Sequence, residues 1–266
     1  IVGRRQDGYH ELQTLFQIID LCDYLSFNLR QDGVIELTTS MDGVAHDDNL
    51  IVRAAKRLQQ ASGTHLGASI SIEKHLPMGG GLGGGSSNAA TTLLAMNRLW
   101  ELNLGEDQLA EIGLRLGADV PVFVRGHAAF GEGVGETLTN ANPPEDWFVV
   151  LKPGCNINTG KIFSEQGLTR NTPRIKIAPA FEGDASRYRN DCEDVVRKLY
   201  PEVNQSLEWL SQFGPARLTG TGACIFGRFP TESAARIIWE SKPSGVTGFV
   251  AKGVNISPLH QKLTEL

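Results

Sequence analysis

The stretch Pro77–Ala90 reads PMGGGLGGGSSNAA, with six glycines in seven positions and a helical pattern directly after them. Each glycine costs conformational entropy to order, so this density implies something that must come close to the backbone. Glycines leading into a helix leave free N–H groups, the positive end of the helix dipole and no side chains in the way, which is the chemistry of a phosphate site. A flexible connection is the plain alternative, but linkers are usually Gly/Ser mixtures far from a capped helix. Ser86, Ser87 or Asn88 is expected to cap that helix, and Ala89, Ala90, Leu93, Leu94 and Trp100 form its buried stripe.

The commonest nucleotide loops fit poorly. GxxxxGK[ST] fails because no lysine follows Gly85, and at Gly160-Lys161 the next residue is Ile162 instead of Ser or Thr. Gly79, Gly81 and Gly84 satisfy GxGxxG, but so glycine-rich a run satisfies many patterns, and Lys74-His75-Leu76-Pro77 separates it from the preceding strand. Protein-kinase loops lie between two strands, whereas this one enters a helix, and no HRD or DFG follows.

The 266 residues are 41% hydrophobic and 21% charged with a formal net charge of −5, which argues against a general nucleic-acid binder. No apolar run reaches a membrane span, and no signal-peptide pattern is present, so neither nucleic acid nor membrane is an expected partner. Cys22, Cys155, Cys192 and Cys224 are far apart without a CxxC pair, which disfavours a zinc site or disulfide framework and suits a cytoplasmic location. Monomer and homodimer remain equally open.

Tyr24–Arg30 and Val34–Thr39 read as strands around the turn Gln31-Asp32-Gly33. Asp47 and Asp48 can cap a helix with Ile51, Ala54, Ala55, Leu58 and Ala61 on one face and Gly63 at its end. Residues 68–73 alternate as a strand. A helix bearing Leu109, Ile112 and Leu116 is expected to stop at Gly117, and Pro121 is expected to push Val120 out of helical conformation. The second half reads as strand (147–152), helices (191–199 and 201–213), strands (216–219 and 223–229), helix (232–240) and strand (248–254), a β-α-β-β-α-β ferredoxin-like order. The expected organisation is two α+β domains, 1–148 and 149–266, with the boundary near Pro143–Pro153.

PMGGGLGGGSSNAA resembles the phosphate loop of the GHMP kinases, small-molecule kinases with a P-x-x-x-G-L-G-S-S-A pattern, here with two extra glycines. GADVPVF (Gly117–Phe123) is similar to the segment that carries the catalytic aspartate, and LTGTGAC (Leu218–Cys224) to a second glycine turn near the phosphates. RRQDGYHELQTLFQ (Arg4–Gln17) is similar to the branch that phosphorylates a hydroxyl on the erythritol part of a CDP-linked substrate. The homoserine and mevalonate branches, and a catalytically dead nucleotide-binding module, are the competing readings.

The resemblance implies a two-domain fold with an N-terminal ATP-binding domain, a C-terminal ferredoxin-like domain and an active site in the cleft between them. It implies ATP and Mg²⁺, with Asp119 as the catalytic base. It places Pro77, Met78, Gly79, Gly80, Gly81, Leu82, Gly83, Gly84 and Gly85 around the phosphates, Ser86 and Ser87 by phosphate or magnesium, and Asn49 and Lys74 near the nucleotide. For the other substrate, Tyr9 and Phe163 match stacking positions and His10 the base-reading position, while Thr159, Gly220, Thr221 and Gly222 line the channel. Taken singly, Asp119 is an ordinary turn carboxylate, Phe163 a core residue, and Tyr9 and His10 loop residues. The family's lysine in A-K-[LIV]-N would precede Ile1, so truncation is expected, and a chain that truly began there would be nearly inactive.

Overall fold

The computed structural model describes residues 1–41, 43–175 and 189–265. In chain order the strands and helices are β1 (Gly3–Arg4), β2 (His10–Phe16), β3 (Ile18–Ile19), β4 (Tyr24–Arg30), β5 (Ile35–Leu37), α1 (Leu50–Ser62), β6 (Gly67–Glu73), α2 (Gly84–Leu99), α3 (Glu106–Leu114) and α4 (Val120–Arg125). There follow β7 (Ala129–Gly133), β8 (Thr137–Asn140), β9 (Trp147–Lys152), α5 (Thr159–Ser164), α6 (Glu193–Leu199), α7 (Pro201–Leu210), β10 (Ala216–Leu218), β11 (Ile225–Phe229), α8 (Glu232–Glu240), β12 (Thr247–Val254) and α9 (Pro258–Thr264).

Two compact units form, and neither is continuous in sequence. The first takes Ile1–Leu21, Pro77–Leu82 and Ala128–Ile256; the second takes Cys22–Leu76, Gly83–His127 and Ser257–Leu266. This partition cuts the chain differently from a break after residue 148. The cause is strand pairing: β2 pairs with β7 and β3 with β12, which draws Ile1–Leu21 into the first unit.

In the first unit, β9, β10, β11 and β12 form an antiparallel sheet in the order β10-β11-β9-β12, with β3 added beyond β12. That is the spatial order of the β-α-β-β-α-β arrangement expected from the sequence. WFVVLK is apolar almost throughout because both faces of β9 are covered. Val149 and Leu151 join the cluster with Val196, Val203, Leu207 and Leu210 of α6 and α7, whereas Phe148 and Val150 pack with Cys224 on the other side. A second antiparallel sheet, β1-β2-β7-β8, completes this unit.

The second unit packs α1 to α4 against the short sheet β4-β6-β5, in which β4 is antiparallel and β5 parallel to β6. Its core holds Ile51, Val52, Ala54, Ala55 and Leu58 of α1 and Ala89, Ala90, Leu93 and Met96 of α2. Ala61, expected on the same stripe, is exposed because it lies in the last turn.

Four local expectations need correction. Asn49 caps α1, accepting from the Ile51 N–H at 2.9 Å, while Asp47 and Asp48 form a 3₁₀ turn before it. None of Ser86, Ser87 and Asn88 caps α2: the N-cap is Gly83, in left-handed conformation with φ 68°, and the serines lie inside the first turn. The helix α3 ends at Leu114, before Gly117. Val120 is helical after all, since Pro121 occupies the first turn of α4, where its missing N–H has no intrahelical partner to lose.

Candidate active site

In the second unit, the first intrahelical bond of α2 runs from Ser87 N–H to the Gly83 carbonyl at 2.8 Å. The amides of Gly84, Gly85 and Ser86 therefore point out of the helix start without intrahelical acceptors, and no side chain caps them. Two close approaches bring α4 and the turn before it to this helix start. Phe123 lies so close that a Cβ on Gly83 would come within 2.7 Å of its ring, and a Cβ on Gly117 would stand 3.9 Å from Ser86 Oγ.

Asp119 is the N-cap residue of α4 but makes no side-chain cap bond. Among the described residues its carboxylate has no hydrogen-bond or ion-pair partner. By surface area Asp119 is exposed, yet enough protein surrounds the carboxyl that desolvation raises its pKa above the ordinary aspartate value. An unpaired aspartate with a raised pKa, in the segment whose Gly117 and Phe123 approach the helix-start residues, is equipped to take a proton.

Lys74 reaches the same helix start. Its Nζ lies 3.5 Å from where a Gly84 Cβ would stand and donates to the Leu76 carbonyl at 2.6 Å and to Asp23 at 2.7 Å. Asp23 is almost fully buried and also accepts from the amides of His75 and Leu76, both at 2.8 Å, and from Asn88 Nδ2 at 3.0 Å. Burial pushes its carboxyl up, but the bonds from Lys74, Leu76, His75 and Asn88 outweigh this and hold its pKa below the usual value. Asp23 therefore holds both the Lys74 ammonium and the chain leaving β6. Sequence reasoning missed it, since nothing in LCDYLSF links it to a lysine 51 residues later.

Asn49 is buried; besides its cap bond, its amide nitrogen faces Met41 Sδ at 3.0 Å. Its observed partners are thus structural.

In the first unit, the other half of the glycine run meets the second glycine turn. The Cys224 N–H donates to the Gly80 carbonyl at 3.0 Å and Thr219 Oγ1 to the Gly81 carbonyl at 2.9 Å. A Cβ on Gly80 would fall 2.6 Å from Cys224 Sγ, and one on Gly81 2.6 Å from the Thr219 carbonyl, where φ is also +72°. Packing against its own chain thus accounts for the glycines at 80, 81 and 83. At Gly79, Gly84 and Gly85 a Cβ would meet nothing closer than 3.3 Å.

The candidate substrate residues are only partly assembled. Thr159 and Thr221 share a hydrogen bond at 2.8 Å between their hydroxyls, and Gly220 and Gly222 turn with φ of 53° and 89°. His10 stacks on Phe163, with ring centroids 4.9 Å apart and planes at 22°. Tyr9 is exposed and makes no ring contact among the described residues, and the ring stacked on Phe163 is that of His10.

Residues 49–127 match the family model for the GHMP kinases N-terminal domain, and residues 177–241 match the model for the GHMP kinases C-terminal domain. A 4-diphosphocytidyl-2-C-methyl-D-erythritol kinase of Marinobacter nauticus is 81% identical over 269 residues, covering 100% of this chain and 93% of that protein. The chain belongs to the GHMP kinases. A Pseudomonas fluorescens protein of the same name is 59% identical, again over 100% of this GHMP kinase and 93% of the relative. A crystal structure of 4-(cytidine 5'-diphospho)-2C-methyl-D-erythritol kinase superposes with a TM-score of 0.82 at 31% identity, covering 95% of this chain and 94% of that one. A homoserine kinase from Cytophaga hutchinsonii, at 16% identity and TM-score 0.69 over 90% of this chain and 88% of that one, shares the fold. No helix among the described residues is long and apolar enough to cross a membrane.

Proposed function

We propose that this GHMP kinase transfers the γ-phosphoryl group of ATP to a hydroxyl on the erythritol part of 4-diphosphocytidyl-2-C-methyl-D-erythritol. The carrying observation is 81% identity, over the whole of this chain, to a relative of that name. The homoserine kinase likeness, at 16% identity, speaks for the fold alone. The four cysteines form no disulfide, which fits a reducing, cytoplasmic setting.

In this reading Asp119 takes the proton of the acceptor hydroxyl while that oxygen bonds to the γ-phosphorus. The bond from phosphorus to the β–γ bridging oxygen breaks, and ADP leaves with that oxygen. General-base help of this kind is worth about 10²–10⁴-fold. Most of the remaining work is positioning and charge compensation. The open amides of Gly84, Gly85 and Ser86 face the phosphates, and Lys74, held by Asp23, adds a fixed positive charge beside them. No group of three or more His, Cys, Asp or Glu side chains able to hold a metal occurs among the described residues. A Mg²⁺ accompanying ATP would be held mainly by phosphate oxygens, with Ser86 or Ser87 near enough to the open helix start to offer a hydroxyl. When bound, Mg²⁺ neutralises charge on the phosphates. On the other substrate, Tyr9, His10 and Phe163 hold the cytosine, with Thr159, Thr221 and the Gly220–Gly222 turn along its diphosphate and sugar.

Purified protein with ATP and Mg²⁺ should phosphorylate the CDP-linked methylerythritol and leave homoserine and mevalonate unmodified. Turnover of either free alcohol without the cytidine substrate would overturn the assignment.

A further inference from the structure

Arg170 lies in no motif, and none of the roles above uses it. Its guanidinium donates from Nε to His10 Nε2 at 3.0 Å and from Nη1 to the Leu168 carbonyl at 3.1 Å. Nη2 donates to the carbonyls of Phe163 at 2.8 Å and Glu165 at 2.7 Å. The three carbonyl bonds fix the guanidinium at the end of α5, the helix that carries Phe163, and the Phe163 ring lies on the His10 ring. Two elements far apart in sequence are thereby held as one unit around the imidazole.

A guanidinium is permanently charged and has donors only. A ring nitrogen facing Arg170 Nε–H must therefore accept. His10 Nε2 is then unprotonated, the ring is neutral, and its one proton sits on Nδ1. The environment agrees: His10 is buried, and desolvation followed by the Arg170 charge lowers its pKa.

We propose that Arg170 is a positioning residue that locks His10 as an Nδ1–H donor, and that this lock makes the base site select cytosine over uracil. The proposal rests on the reading of His10 as the base-reading residue. At the N3 edge, cytosine presents an acceptor and uracil presents an N–H donor. A locked donor satisfies the first and sets donor against donor with the second, which leaves a buried polar group unpaired. Without Arg170 the imidazole can move its proton between nitrogens and accept as easily as donate.

The tautomer is read directly from long-range ¹⁵N–¹H correlations of ¹⁵N-histidine-labelled protein near neutral pH, with His10→Gln used to assign the signal. An Nδ1–H pattern is expected in the unliganded wild type. An Nε2–H pattern or a doubly protonated ring overturns the lock. The wild-type spectrum needs no variant, so the test survives poor folding of any substituted protein. CDP and UDP then serve as probes in titration calorimetry. The wild type should prefer CDP by roughly 10- to 100-fold. In Arg170→Met that preference should shrink to a few-fold, and KM for the cytidine substrate should rise more than kcat falls. Arg170→Lys, which keeps the charge, should retain part of the preference. An unchanged preference in Arg170→Met overturns the role of Arg170. If CDP binds without moving the His10 signals, the base-reading assignment falls, and the selectivity claim falls with it. That outcome is separable from failure of the lock, because the tautomer is measured without ligand.

Discussion

Gly83 and Gly84 are adjacent and chemically identical, yet adding one methyl to each should have opposite effects on stability. In Gly83→Ala the new Cβ would lie 2.7 Å from Phe123 Cζ on a backbone with φ of +68°. The left-handed conformation alone costs about 1–2 kcal/mol, and overpacking adds about 1–3. In Gly84→Ala the methyl meets Lys74 Nζ at 3.5 Å and Leu76 side-chain atoms at 3.7 Å, which are ordinary contacts. Gly84 also opens α2, where alanine favours the helix by up to about 0.5–1 kcal/mol, or roughly 1–4 °C in Tm for a chain of this size. The free protein thus gives no reason for glycine at 84; bound ATP would supply one. A phosphate resting on these amides beside Lys74 would meet the methyl, and a loss of about 1.4–2.8 kcal/mol corresponds to roughly 10- to 100-fold in affinity. Thermal denaturation and ATP titration of both variants decide the matter. Gly84→Ala should melt at or above the wild type and bind ATP at least tenfold more weakly. If it is equally stable and binds ATP with unchanged affinity, the phosphates do not lie on this turn.

Asp119→Asn should lower kcat by about 10²–10⁴-fold with ATP affinity within a few-fold, and retained turnover would remove the base assignment. Because the folded-state pKa of Asp119 is raised, the native state holds a proton that the unfolded state releases. Stability is therefore lost as pH rises above the ordinary value of 3.8 through the raised one, so at neutral pH Asp119→Asn should melt no lower than the wild type. The depressed pKa of Asp23 has the opposite sign: its contribution is present above 3.8 and disappears as pH falls through the lowered value. Asp23→Ala leaves Lys74, two amides and Asn88 without their acceptor, so it should cost about 2–4 kcal/mol in chemical denaturation and weaken ATP binding; a change under 0.5 kcal/mol would refute its role as anchor. Chelating magnesium should abolish phosphoryl transfer but leave the melting temperature of the free protein unchanged, since no resident metal cluster occurs among the described residues.

Local chemistry wrote a good part of this protein into its sequence. The β-α-β-β-α-β order, the strand WFVVLK buried on two faces, the glycines running into α2 and the left-handed stop at Gly63 each follow from residues a few positions apart. The segment GADVPVF marked Asp119, although its helical start at Val120 went against the usual effect of a following proline. The tertiary structure decided whatever depends on partners distant in the chain. It moved Ile1–Leu21 into the first unit by pairing β2 with β7 and β3 with β12. It set Phe123 against Gly83, the left-handed residue that caps α2. It joined Asp23 to Lys74 across 51 residues and Arg170 to His10 across 160. It also divided the glycines of PMGGGLGGGSSNAA into those packed tightly against the chain itself and those where a Cβ would meet nothing closer than 3.3 Å. Propensity and periodicity report on neighbours along the chain, whereas a buried carboxylate or a locked imidazole is defined by what folding brings to it from elsewhere.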